Sequence, residues 1–387
     1  MVSPSTTTPL RISVVGAGVG GLAAATALRR SGHIVQIFEA EREFTEIGAA
    51  IIVPLNAQRV LEKLGYAVEN IKPVQYLGNL MCHRSDLLNE LLRLATGAAG
   101  EGPPATLRFS SKMIACDPDA GSITLEGGEE IVSDVVIGAD GIGSSIRTAI
   151  LGAPVNSLSS DWTCSRALIP MAAIHANPAL SWITEGIPGA RIVMKRGPKP
   201  GDVNVLFLYP CRDGTLLNWA GVYSDDGHED PEWQPASALT TLAPIYGSFQ
   251  PQFRELLTLL PSEKPIPKWQ MRYLPPLPTW IRGRAAILGD AAHATLPLMG
   301  QGAAIAIEDA GALGGVLPAG TKSAQVGERL NIWEKLRKER GEWVGRESVQ
   351  QGKVKEKIRE FYRSKDMQEF IFNHDAVKIA RDALANE

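Results

Sequence analysis

Apolar positions along the chain fall into continuous runs, helical spacings and strict alternations, and each pattern implies a different element. Residues 10–15 (LRISVV) are a short β-branched run. The glycine cluster GAGVGG follows, then LAAATALRR, rich in helix formers, which Ser31-Gly32 brings to a stop. Residues 34–38 (IVQIF) form a second continuous run, closed by Glu39. Strand, turn, helix and strand within about 30 residues open a doubly wound parallel sheet.

Helical spacing recurs at Leu55, Val60, Leu61 and Leu64, and again over residues 87–95, where Ser85-Asp86 supplies an N-cap. Residues 97–105 read as a loop, 107–114 and 122–125 as strands, and 135–137 as a buried strand ending in GADG. The pattern changes near residue 151: all eight Trp lie beyond it, and alternation over 204–209 and 216–222 predicts an antiparallel sheet. It reverts at 285–288, a strand, and 300–317, a helix of small residues; charged helices follow at 326–350 and 353–372. The expected fold is α/β. A discontinuous Rossmann-like domain (9–65, 78–150 and 281–325) carries an inserted, mainly antiparallel substrate domain (151–280), and residues 326–387 form a C-terminal helical region.

Composition narrows the class. The 387 residues are 44% hydrophobic and 21% charged, with a net charge of −3. That balance excludes a general basic footprint for nucleic acid. No apolar run reaches the roughly 20 residues that span a bilayer. Four scattered cysteines, Cys82, Cys116, Cys164 and Cys211, predict reduced thiols and no zinc site. With no secretory pattern at the N-terminus, the expected location is cytoplasmic.

Three glycine motifs carry candidate chemistry. In Gly16-x-Gly18-x-x-Gly21, the first glycine permits a tight turn, the second lets a pyrophosphate approach the backbone, and the third lets helix pack on strand. Glu39 can accept from a ribose diol and would repel a 2′-phosphate. Together they indicate an adenine dinucleotide site, against the alternative of a structural glycine turn. In GRAAILGDAAHATLPLMGQGAA (283–304), Asp290 can accept from a polyol, and a helix opening near Gly302 faces the same ligand; a plain crossover is the alternative. In DVVIGADGIGSSIR (134–147), Asp140 and Arg147 form either a ligand contact or a salt-bridged turn.

The three together resemble the class A FAD-dependent aromatic hydroxylases, in particular the salicylate-hydroxylase-like branch of fungal secondary metabolism. GAGVGG with Glu39 is similar to that family's adenine-ribose motif. Gly289-Asp290 with Pro297 and GQGAA is similar to its flavin-ribityl motif, DVVIGADGIGSSIR to its third motif, and HRSDL (83–87) to its fourth signature. The resemblance implies FAD contacts at Glu39, at Gly48 and Ala50 in the IGAAI segment, and at Arg84, Asp140, Asp290, Gly300, Gly302 and Ala303. Arg84 can fork two phosphate oxygens, or be a solvated charge at a helix start. Relatives carry several tens more residues between the helix ending near Gly65 and HRSDL. That shortening near 66–80 implies an exposed pocket or one covered by a partner.

The resemblance further implies a reaction in which NAD(P)H reduces the flavin, O2 adds to it, and a C4a-hydroperoxide hydroxylates or epoxidises a small aromatic, phenolic or polycyclic substrate. Pro297 would wall the isoalloxazine, Tyr209 in LYPCRDG would approach substrate, and Arg191 in GARIV would hold its anion. Trp219, Tyr223 and Trp269 read as sheet core or pocket lining, and His293 as a hydrogen-bonded turn residue. NADH and NADPH, and monomer and homodimer, stay open. Two other readings use the same fold: a flavoprotein oxidase or dehydrogenase without oxygen insertion, and a flavin-binding partner protein without turnover.

Overall fold

The computed structural model describes residues 8–44, 50–185, 189–196, 203–224, 236–237, 239–261, 266–353 and 364–386. Strand β1 (Arg11–Val15) turns at Gly16 into helix α1 (Val19–Arg30), and β2 (Ile34–Phe38) returns parallel to β1. Gly16 has φ +99°, and a Cβ there would lie 2.3 Å from the Ala139 carbonyl oxygen; a Cβ on Gly21 would lie 2.0 Å from that of Gly16. The first glycine is therefore required by the turn and the third by the helix–strand packing.

Strand β3 (Ala50–Val53) leads into α2 (Leu55–Leu64), over the residues its apolar spacing predicts. Residues 66–83 hold a 3₁₀ turn (Val68–Ile71) and a hairpin, β4 (Val74–Tyr76) and β5 (Asn79–His83), which joins β3 in a small antiparallel sheet. Helix α3 is Arg84–Thr96, earlier than Ser85-Asp86 suggested, because the His83 ring nitrogen accepts the Ser85 N–H at 3.3 Å and acts as the cap. The run at 107–114 splits into β6 (Thr106–Arg108) and β7 (Met113–Asp117), with Ser110 at φ +50° between them. Strands β8 (Ser122–Leu125) and β9 (Glu130–Val132) complete a small sheet with β7, and β10 (Val135–Gly138) precedes α4 (Ser145–Leu151).

A second large sheet follows. It is built from β11 (Leu158–Pro170), β12 (Arg191–Arg196), β13 (Val203–Cys211), β14 (Leu216–Ser224), β15 (Ala236–Ser237) and β16 (Ile266–Tyr273), with short helices α5 (Met171–His175), α6 (Leu239–Tyr246) and α7 (Pro251–Arg254). Its order is 12-13-14-11-16-15, antiparallel throughout, as the alternation predicted. One face buries Leu206, Leu208, Trp219 and Tyr223 against Tyr246 and Phe249, so Trp219 and Tyr223 are sheet core. The other face carries Cys164, Val205, Ala220 and Val222.

Strands β17 (Ile281–Arg282) and β18 (Ala285–Ile287) close the first sheet in the order 17-18-10-1-2-6, parallel except for β17. Its central strands are buried almost throughout because helices cover both faces. After β18 come the single turn α8 (Asp290–His293), α9 (Gly302–Val316), the long α10 (Val326–Lys353), α11 (Lys365–Phe372) and α12 (Ala376–Ala385). Of the helix predicted at 353–372, residues 354–363 lie outside the described residues; α12 was not read from the sequence. Small residues let α9 lie on α1, with Gly314 against Ala27 and Ala306 against Gly20, and α10 and α12 pack on the same core. No helix among the described residues is long and apolar enough to cross a membrane.

Candidate flavin and substrate site

A cavity of about 320 Å³ lies between the turn after β18 and the second sheet. One wall is Asp290, Thr295, Pro297, Gly300, Gly302 and Ala303. The facing wall is sheet: Cys164 and Arg166 of β11, Phe207 and Tyr209 of β13, Ala220 and Val222 of β14. Strand alternation explains that set. Arg166 pairs with Ala220, and Ala220 with Phe207, so side chains two residues apart share the face. Ala50–Ile52 of β3 and Arg84, the first residue of α3, close the side.

The wall that carries Asp290 is built for an elongated anionic, hydroxyl-rich ligand. Gly289, at φ +60°, aims Asp290 inward. The Asp290 carboxylate is open to the cavity, enclosed by protein elsewhere, and accepts no hydrogen bond from the described residues. Enclosure raises its pKa above the ordinary value, opposed by His293 and the Arg84 guanidinium. The Arg84 guanidinium makes no hydrogen bond to the described residues; burial and neighbouring Arg166 lower its pKa, and Asp290 opposes them. Thr295 Oγ1 is buried and has no hydrogen-bond partner among the described residues.

Helices α1 and α9 both begin without a side-chain cap, leaving N–H donors and positive dipole ends toward this region. A Cβ on Gly20 would lie 2.8 Å from Leu288 Cδ1 and 3.3 Å from Ala306 Cβ, which puts the α1 N-terminus beside β18 and α9. Gly18 and Gly300 have nothing within 4 Å of a notional Cβ, so the backbone there is open to a guest. Glu39 ends β2 with Oε2 accepting the Ala17 N–H at 2.7 Å and Oε1 the Glu41 N–H at 3.0 Å, which fixes its carboxylate beside the α1 turn. Uncapped helix starts, an acceptor open to the cavity and open glycine backbones fit a dinucleotide such as FAD.

The structure redistributes several expected roles. Asp140 Oδ1 accepts from Ser144 Oγ at 2.6 Å, and its Oδ2 accepts the Ser145 and Ile146 N–H groups at 2.8 and 3.2 Å, so this carboxylate also supports the start of α4, whose N-cap is Ser144. Arg147 donates to the carbonyls of Ala291 (3.1 Å) and Ile142 (2.7 Å), tying the third motif to the turn that bears Asp290. It makes no salt bridge to Asp140. Tyr209 lines the cavity but its hydroxyl donates to the Ala50 carbonyl at 2.8 Å, and burial raises its pKa. The phenol fastens the sheet to β3.

Arg191 is not among the cavity residues: its guanidinium lies 5.7 Å from the Trp182 ring centroid and donates to the Trp182 carbonyl at 3.2 Å. Strand β12 is the outermost of the sheet, three strands from β11, and that position keeps Arg191 away. Gly48 lies outside the described residues. Pro297 opens the 3₁₀ turn Pro297–Met299 in the cavity wall. His293 is buried 2.6 Å from Asp309, a hydrogen-bonded turn residue. Sequence reading missed Arg166, Phe207 and Thr295. For Arg166 the available signal was the alternation Cys164-x-Arg166 at the start of CSRALIP, which only the strand pairing shows to face the cavity.

Comparison with known proteins agrees with this geometry. Residues 265–348 match a family model described as FAD binding domain, and residues 14–50 one described as NAD(P)-binding Rossmann-like domain. The chain is 37% identical to hispidin-3-hydroxylase of Neonothopanus nambi over 95% of this chain and 94% of that protein. It is 32% identical to the FAD-dependent monooxygenase cfoG of Aspergillus candidus, covering 97% and 95%. A crystal structure of CtdE in complex with FAD and a substrate superposes with a TM-score of 0.80 at 22% identity, over 97% of this chain and 98% of that one, and shares the fold.

Proposed function

The chain belongs to the salicylate-hydroxylase-like FAD-dependent monooxygenases, and on that premise we propose that it uses NAD(P)H and O2 to hydroxylate a small aromatic, phenolic or polycyclic substrate. The observation that carries this reading is the two-walled cavity. A polar wall with Asp290, the α9 N-terminus and nearby Arg84 faces an apolar wall of Phe207, Ala220 and Val222. The relative named hispidin-3-hydroxylase, at 37% identity, supports a hydroxylation.

FAD, when bound, would supply the redox chemistry of a monooxygenase. The chain's own residues hold and enclose it. Glu39 would take the adenosine ribose, the α1 N-terminus the pyrophosphate, Arg84 a phosphate or flavin oxygen, and Asp290 the ribityl hydroxyls. Pro297 has no N–H and a fixed φ, so it presents a rigid wall that competes for no hydrogen bond. Tyr209 keeps β13 on β3, which closes the side of the cavity against water; water exclusion protects the oxygen-transfer step.

The test is purification and an absorbance scan for oxidised flavin, followed by a panel of phenols scored for stimulated NAD(P)H consumption and for product. Hydroxylated product stoichiometric with NAD(P)H is expected. A flavin-loaded protein that oxidises a substrate without nicotinamide would overturn the monooxygenase assignment.

A further inference from the structure

We propose that the chain has a second small-molecule site, separate from the flavin cavity, which takes a hydroxylated aromatic acid and acts on the turn bearing Asp290 from behind. The site is independent of the proposed hydroxylation.

A second cavity of about 290 Å³ lies behind α8, between the segment after β16 and the middle of α10. It shares no lining residue with the flavin cavity: Asp290 lines the first, whereas Ala292 and His293 line the second. Hydrogen bonds fix its walls. The Leu274 N–H donates to the Ala294 carbonyl at 2.9 Å, Ser348 Oγ of α10 donates to the Leu296 carbonyl, and the Trp280 N–H donates to Glu334 of α10 at 2.5 Å. The space is close to the lower end of the range that holds small ligands.

Two glycines of α10 line the cavity, and they differ. A Cβ on Gly341 would lie 2.6 Å from Trp280 and 3.0 Å from His293 Cδ2, so packing requires glycine there. A Cβ on Gly345 meets nothing within 4 Å. Glycine inside a helix is destabilising relative to alanine, and at Gly345 no neighbour demands it. Its effect is to leave the cavity open.

Charge defines the guest. Glu342 and Arg346 both line the cavity, four residues apart on α10, the spacing at which a carboxylate and a guanidinium pair. Here they do not. Glu342 Oε1 is buried, lies 2.8 Å from Lys338 Nζ and accepts no well-directed hydrogen bond. The exposed Arg346 guanidinium makes no hydrogen bond or ion pair with the described residues. The cavity therefore offers a free cation at its mouth and an acceptor oxygen inside, beside an apolar wall of Leu274, Pro275 and Val349. An aromatic carboxylate matches the fork of Arg346, its ring rests on that wall, and a ring hydroxyl donates to Glu342. With Lys338 and Arg346 against Glu342, the site favours an anion over a cation.

His293 connects this cavity to the flavin turn. Its ring lines the cavity, and its Nε2 lies 2.6 Å from Asp309 Oδ2, the oxygen that accepts the Gly289 N–H at 3.2 Å. A guest packed on that ring bears on the turn that presents Asp290. Coupling between two sites is reciprocal, so the guest changes how tightly FAD is held.

The experiment uses FAD-loaded wild type, Gly345→Leu and Arg346→Met, titrated by calorimetry with 7-hydroxycoumarin-3-carboxylate; 7-hydroxycoumarin, which lacks the carboxylate, is the control. Wild type is expected to bind the acid with a Kd below about 1 mM and the neutral coumarin about 10- to 100-fold more weakly. Gly345→Leu, which fills the space, is expected to lose this site. Arg346→Met is expected to weaken it by the same 10- to 100-fold factor of about one charge-assisted hydrogen bond. Neither substitution touches the flavin cavity, so an acid bound there keeps its affinity in both variants. FAD retention on ultrafiltration should change by about 5-fold or more when the acid is added to wild type, and should not respond in Gly345→Leu.

Failure of wild type to bind the acid overturns the proposal. So does binding unchanged in Gly345→Leu, which would place the acid elsewhere, or full binding in Arg346→Met, which would remove the anion as the recognised group. Should Gly345→Leu fail to fold, Arg346→Met decides alone. FAD retention that ignores the bound acid overturns the action on the turn.

Discussion

His293 Nε2 lies 2.6 Å from Asp309 Oδ2, both side chains buried, and the same oxygen accepts the Gly289 N–H at 3.2 Å. One carboxylate of α9 therefore holds both ends of the turn that presents Asp290. Arg337 Nε reaches Asp309 Oδ1 at 2.9 Å and Arg337 Nη2 reaches Glu308 Oε2 at 2.8 Å, which brings α10 into the same clamp. Burial pushes the Asp309 pKa up, but His293 and Arg337 outweigh it and hold the carboxyl below its ordinary value.

Asp309→Asn should therefore damage fold and cofactor binding together. Removing one partner of a buried ion pair costs about 3–5 kcal/mol, because the cation left behind stays desolvated. The expected result is a lower melting temperature and loss of FAD on gel filtration. A variant that melts with wild type and keeps its flavin would show that the clamp does not position the turn.

Asp290→Ala should behave in the opposite way. Its carboxylate makes no hydrogen bond to the described residues, and its raised pKa marks it as enclosed at a cost. The apoprotein should melt no lower than wild type, while FAD affinity falls about 10- to 100-fold for loss of charge-assisted hydrogen bonds. Thermal melting without FAD and a flavin titration separate the two effects; unchanged holoprotein yield would contradict the ribityl role.

The two glycines at the α1 turn make a matched pair. A Cβ at Gly18 would meet nothing within 4 Å, so Gly18→Val should leave the apoprotein stable and block FAD. At Gly21 even a methyl group would sit 2.0 Å from the Gly16 carbonyl oxygen, so Gly21→Ala should destabilise the fold by about 1–3 kcal/mol or more. Chemical denaturation of the apoproteins together with flavin occupancy checks both. An unstable Gly18→Val would mean the space is structural.

The cofactor half of this molecule was legible because its constraints are local. Gly16, Gly18, Gly21 and Glu39 sit within one strand–helix–strand unit, and Gly289-Asp290 directly follows its strand. The substrate wall was not. Arg166 and Phe207 are far apart in sequence, and only the β11–β14–β13 pairing aligns them. Tyr209 was singled out for its segment, but the hydrogen bond to Ala50, 159 positions away, is a tertiary fact. Asp140 adds a role that the sequence did not show: its carboxylate accepts the Ser145 N–H at the start of α4.

The buried cluster also sets a pH response. His374 Nε2 lies 3.0 Å from Arg337 Nη1, with Glu308 at 3.7 Å, and Arg340 and Asp375 near. Burial lowers its pKa from 6.5 to about 4; Glu308 opposes that, and the two arginines reinforce it. Between those values the unfolded chain binds a proton that the folded chain refuses, so stability falls as pH drops through the window and is fully present above it. The contribution is on the order of 3 kcal/mol. His374→Gln keeps an acceptor for Arg337 but cannot titrate, so its melting temperature should fall less between pH 6.5 and 4 than wild type. Parallel curves for the two proteins would remove His374 as the source.

Tyr209→Phe distinguishes a positioning role from an acid–base one. The phenol donates to the Ala50 carbonyl at 2.8 Å and burial raises its pKa, so near neutral pH it stays protonated and fixed on β3. A general base for the substrate would need its pKa near the working pH and its oxygen free. Removing the hydroxyl leaves a buried carbonyl short of a donor, at a cost of about 1–3 kcal/mol in stability. The side of the cavity then loosens. Water reaches the oxygen-transfer site more readily, so more NAD(P)H should be consumed per hydroxylated product, with flavin content retained. Because no titrating group is lost, the pH profile of turnover should keep its shape. A profile whose basic limb disappears in the variant would give Tyr209 an acid–base role in the reaction.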